Sequence, residues 1–177
     1  ALVQEAKMVP IVEPEVLMSG SHNIEKCYQV TTDVLNECYN ELEIQKVDLK
    51  GTVLKPNMIL PGSECKDKSS SEEIAKKTID CLKKNVPNDV PGIAFLSGGQ
   101  SEVDSSKNLN EINKINTTNF LITFSYGRGL QASALKEFGK NQDHIENIQQ
   151  AFNHRAKMNG LSSKGEWSED LEKESAA

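Results

Sequence analysis

The sequence is poor in the usual signatures of metal sites, membranes and nucleic-acid binding. Its four cysteines, Cys27, Cys38, Cys65 and Cys81, form no CxxC pair and no cysteine–histidine zinc spacing. They read as buried, reduced thiols of a cytoplasmic protein, with Cys27 and Cys38 on one helix face. The three histidines, His22, His144 and His154, share no ligand spacing and read as surface residues, so no metal is expected. No apolar run approaches the ~18–20 residues of a membrane helix. The given N-terminus does not read as a secretory signal; Ala1–Lys7, without a methionine, reads as the end of a helix already under way. There is no excess of basic charge. The net charge of −6 argues against nucleic acid or an anionic membrane as the main partner, and leaves room for a local basic pocket. Finally, the first strand is followed by Glu-Pro-Glu, not by the GxGxxG of a dinucleotide site.

What is present is a regular alternation. At 177 residues the chain suits one domain with a real core. Apolar runs at about 8–15, 49–56, 92–97 and 120–127 read as strands. Between and after them lie helical patterns at Ser21–Gln45, Ser69–Asn85, Ser101–Ile115, Gly129–Phe138 and Ile145–Met158. Ser21 and either Ser70 or Ser71 are the expected N-caps of the first two. Four βα units imply an α/β fold with a parallel sheet and right-handed crossovers, either doubly wound or part of a (β/α)8 barrel. The domain is expected to span 1–158, with 159–177 a mobile, polar, acidic tail.

Chemistry is expected at the C-terminal strand ends, where α/β proteins place their sites. Pro56 should stop the second strand, leaving Lys55 at its end. A partly desolvated lysine amine is a candidate nucleophile for imine formation; the alternative is a lysine snorkelling to solvent. In the first strand, a period of two puts Val9, Ile11, Glu13 and Glu15 on one face. The two carboxylates could divide acid and base roles beside Lys55, or simply neutralise it. Ser97-Gly98-Gly99 before a helix start, and Ser125-Tyr126-Gly127-Arg128 after the fourth strand, suit an anion. Arg128 would supply a charge-assisted fork to a phosphate.

Four segments, Val9–Leu17, Gly51–Met58, Phe95–Glu102 and Phe124–Leu135, resemble class I fructose-bisphosphate aldolase, in order and at family-like spacing. The likeness runs from about Val9 to Met158. It implies the last four strands and helices of a (β/α)8 barrel. It implies a glycolytic lyase that cleaves fructose 1,6-bisphosphate reversibly to triose phosphates without a cofactor. Lys55 would form the Schiff base, Glu13 would act as acid and base, and Glu15 would support it. Ser97, Gly98, Gly99, Ser125, Gly127 and Arg128 would hold the phosphate and hydroxyls. A cytoplasmic homo-oligomer, a tetramer by family, and cytoskeletal partners are implied as well. The resemblance omits the family's first four strands and its terminal tyrosine, the last tyrosine here being Tyr126. The expectation is therefore a C-terminal piece of an aldolase, weakly active or inactive alone. The alternative is a non-catalytic aldolase-like protein that binds phosphate or a partner.

Overall fold

A computed structural model describes residues 1–173. After a short helix α1 (Leu2–Glu5), four βα units follow in order: β1 (Ile11–Val12), α2 (Ile24–Ile44), β2 (Val53–Leu54), α3 (Ser71–Asn85), β3 (Gly92–Phe95), α4 (Glu102–Ile115), β4 (Leu121–Phe124) and α5 (Arg128–Lys140). Helices α6 (Ile145–Ser162) and α7 (Glu169–Lys173) close the described chain. The strands pair in parallel in the order β1-β2-β3-β4, as the alternation requires.

Register sorts the side chains. Ile11, Val53, Gly92 and Leu121 lie at one level, and Val12, Leu54, Ile93 and Ile122 at the next. Side chains alternate along each strand, so the second set shares a face. That face packs on the helices, where Leu54, Ile93 and Ile122 are buried. Leu35 from α2, Ile79 from α3 and Leu109 from α4 complete the core. On the opposite face Ile11 is 60% and Leu121 78% exposed. Here Glu13 and Lys55 emerge.

Several boundaries differ from the sequence reading. The second strand is shorter than expected because Leu49–Gly51 winds into a 3-10 turn, and the first comprises only Ile11–Val12. Asp48 caps it by accepting from the Lys50 amide, and the Thr52 hydroxyl donates to the Leu49 carbonyl. Asn23, not Ser21, caps α2, accepting from the Lys26 amide at 2.9 Å. Ser70 and Ser101 cap α3 and α4 through the Glu73 and Asp104 amides.

The expected mobile tail is corrected over 159–173; residues 174–177 lie outside the described part. Helix α6 runs on to Ser162, and Trp167 is buried. The Trp167 amide donates to the Asn110 side-chain oxygen, and its indole N–H donates to Glu172. A single aromatic anchor overrides the polar composition around it.

Candidate active site

Strand pairing continues past the end of β2: the Lys55 amide donates to the Val12 carbonyl at 2.7 Å. Glu13 and Lys55 therefore leave neighbouring strands at the same level and on the same face. Their side chains meet, with Nζ and Oε1 3.0 Å apart. Lys55 is 20% exposed and Glu13 47%. A half-buried amine with one carboxylate in contact is arranged for proton transfer between them. Glu15 lies two residues further along and is exposed, and Glu13 makes the ion pair.

Asn57 fixes this corner, a role not anticipated from the sequence. It is buried; its Oδ1 accepts from the Val16 amide, and its Nδ2 donates to Thr31 Oγ1 and to the Met58 carbonyl, all at 3.1 Å. The segment bearing Glu13 and Glu15 is thus tied to the end of β2 and to α2. The signal available was a polar residue inside Pro-Asn-Met-Ile-Leu, where an unpaired amide would be costly.

Beyond it the two loops pair with each other. Gly62 donates to the His22 carbonyl, Ser63 to Met18 and Glu64 to Gly20. A Cβ on Gly62 would stand 2.2 Å from the Gly20 carbonyl oxygen, so only glycine fits this approach. The surface reading of the histidines holds for His144 alone. His22 and His154 are half-buried, and His22 Nε2 is buried without a hydrogen-bond partner among the described residues.

The ends of β3 and β4 converge. Leu96 donates to the Pro56 carbonyl and Ser125 to the Phe95 carbonyl, which keeps both chains in register as they leave the sheet. Gly98 and Gly99 then turn with φ of +53° and +78°, a region that favours glycine, and Ser101 opens α4. Ser97 is buried. A Cβ on Gly129 would come within 2.9 Å of Ser97 Cβ, so the first turn of α5 lies directly against the β3 loop. Ser97–Gly99 and Ser125–Arg128 are in this way neighbours. Arg128 is exposed at the first position of α5 and has no acceptor among the described residues. A free guanidinium beside a helix N-terminus and two glycine-bearing turns can receive a phosphate.

Burial pushes the Cys27, Cys38 and Cys81 thiols up, so none is set to act as a nucleophile. Cys38 is the one cysteine the structure leaves half-exposed; the other three are buried as expected.

Comparison with known proteins places the chain in a family. The family model for fructose-bisphosphate aldolase class-I matches residues 1–177. A probable fructose-bisphosphate aldolase class 1 of Xanthomonas axonopodis pv. citri is 45% identical over 168 residues, covering 94% of this chain and 50% of that protein. The cytosolic fructose-bisphosphate aldolase 4 of Arabidopsis thaliana is 47% identical, over 97% of this chain and 44% of that protein. The chain thus spans about half the length of the curated relatives it matches. A crystal structure of Plasmodium falciparum fructose-bisphosphate aldolase, in complex with TRAP and a small-molecule inhibitor, superposes with a TM-score of 0.90 at 41% identity. The match covers 93% of this chain and 48% of that one, and so identifies the four βα units as part of the aldolase barrel. The chain belongs to the class I fructose-bisphosphate aldolase family.

Proposed function

We propose that this chain carries the imine-forming part of a fructose-bisphosphate aldolase site. The observation that bears most weight is the 3.0 Å contact between Lys55 Nζ and Glu13 Oε1 at adjacent strand ends. In this reading Glu13 takes a proton from Lys55, and the neutral amine attacks the substrate's ketone carbon. Protonation of the resulting carbinolamine oxygen, again through Glu13, releases water and leaves an iminium. When the C3–C4 bond breaks, its electron pair flows to the iminium nitrogen and forms an enamine. The C4 hydroxyl gives its proton to the Glu13 carboxylate, and C4 departs as the aldehyde carbon of glyceraldehyde 3-phosphate. Protonation of the enamine and hydrolysis return dihydroxyacetone phosphate and free Lys55. Glu15 supports the charge near Glu13.

Ser97, Gly98, Gly99, Ser125, Gly127 and Arg128 hold a substrate phosphate. The convergence of their two loops supports this role. Fructose 1,6-bisphosphate and the triose phosphates are the small-molecule partners. A cytoplasmic location and a homo-oligomer complete the reading, and the cytosolic Arabidopsis relative supports the former. The sequence reading expects cytoskeletal partners, and the complex of the Plasmodium relative with TRAP supports a protein partner in general.

The phosphate assignment is tested with Arg128→Ala and borohydride trapping of two ketones. The variant should require about tenfold or more dihydroxyacetone phosphate for half-maximal trapping, the scale of one lost charge-assisted contact. Unphosphorylated dihydroxyacetone should be trapped as in the parent. Equal losses for both ketones contradict a phosphate role for Arg128.

A further inference from the structure

We propose that Arg155, braced by Glu172, is a positioning residue that clamps the two phosphate-holding turns at a fixed separation. The proposal rests on the preceding assignment of those turns. Arg155 lies on α6, outside the site, and is only 3% exposed. Its Nη1 donates to the Glu102 carbonyl at 2.9 Å and to Ser106 Oγ at 3.1 Å, both in the first turns of α4. Helix α4 begins directly after the Ser97–Gly99 turn, so the guanidinium holds the trailing end of that turn.

The same first turn of α4 is bonded to α5. The Glu102 carboxylate accepts from both the amide and the hydroxyl of Ser133. One turn along α6 from Arg155, Asn159 accepts from the Ser106 hydroxyl at 2.6 Å and donates to the Gly129 carbonyl at 3.3 Å. Gly129 follows Arg128 in the other turn. A buried polar network thus joins the start of α4 to the start of α5, with Arg155 supplying its only charged donor among the described residues.

A buried guanidinium needs a carboxylate, and Glu172 on α7 provides it through Arg155 Nη2. Glu172 is itself fixed, accepting from the Trp167 indole at 2.7 Å, and Trp167 is anchored to Asn110 of α4. Docking of the segment after α6 is therefore mechanically linked to the phosphate turns. Loss of the Glu172 charge should loosen the Arg155 fork, and with it the spacing between the turns.

The test is residue-resolved amide hydrogen exchange on the 177-residue chain and its Glu172→Gln and Arg155→Lys variants. The Gln100, Ser125, Leu130 and Gln131 amides, each hydrogen-bonded at a turn, should exchange about tenfold faster in both variants. Amides of α3, which report on general stability, should keep their protection. Titration with inorganic phosphate should perturb the same turn amides in the parent, and require about tenfold more phosphate in the variants. Turn amides that exchange at the parent rate overturn the clamp, as does equal loss of protection in α3. If the turn amides loosen while phosphate perturbs none of them even in the parent, the clamp stands and the phosphate assignment falls.

Discussion

Lys55 and Glu13 become neighbours through one backbone bond, Lys55 N–H to the Val12 carbonyl, which carries the strand register one residue beyond the regular sheet. Asn57 protects that arrangement from the side. Replacing Asn57 by alanine leaves the Val16 amide without its acceptor and Thr31 without its donor. We expect Asn57→Ala to cost about 1–3 kcal/mol in denaturant unfolding, the range for a buried polar partner left unsatisfied. The rate of borohydride trapping at Lys55 should fall by more than this stability loss explains at temperatures where the variant is fully folded. An unchanged trapping rate would show that Asn57 serves packing alone. The placement of Lys55 and Glu13 at adjacent strand ends, and of the glycine turns, is legible in the sequence because strand period and residue type fix it locally. Asn57, Arg155 and Asn159 are not, because their roles depend on partners 26 to 53 residues away.

The helices were legible through their apolar spacing and their serine caps. Ser70 does cap, whereas Ser21 yields to Asn23, two residues nearer the first helical turn. The strands were harder to delimit: Leu49 and Met8 have the composition of strand residues but sit in turns or extended segments without ladder partners. The docking of the tail is not legible because a polar, acidic stretch gives no periodic signal, while Trp167 and Glu172 find their partners on α4 and α6.

Between α2 and α3 one contact is open to pH. Asp80 accepts from Lys84 at 2.8 Å and from the Tyr28 hydroxyl at 2.7 Å, and these donors, Lys84 first, hold its carboxyl below the usual range. A depressed folded pKa means that the stabilisation is complete above the unfolded carboxylate range and disappears as pH falls through the folded value. Both side chains are exposed, so solvent screening keeps the effect small. Asp80→Asn should lower the unfolding midpoint slightly near neutrality and match the parent once the pH has fallen below the depressed folded value of Asp80. A gap between the two that persists unchanged into acid would assign the contact to packing instead.

At the scale of the whole molecule, the sheet has two faces with different fates. One is covered by helices; the other shows Val9, Ile11 and Leu121 to solvent, and β1 and β4 are edges among the described residues. Exposed apolar surface beside free strand edges favours association. The 177-residue chain by itself should bind an apolar dye and elute above its monomer mass of 19.5 kDa. Monomeric elution without dye uptake would mean that this face is not sticky in solution. The same face carries Glu13 and Lys55, so whatever covers it also sets their solvent exposure. The ion pair and the apolar strand residues share one surface.

The most direct measurement is borohydride reduction in the presence of dihydroxyacetone phosphate, followed by peptide mass mapping. It is made on the 177-residue chain and on the same chain joined to the N-terminal half of the Arabidopsis relative. A reduced triose adduct on Lys55 is expected in the joined protein, and its loss in Lys55→Met with the fold retained. An adduct on a different lysine, or none in the joined protein, would contradict the assignment of Lys55 as the imine-forming residue.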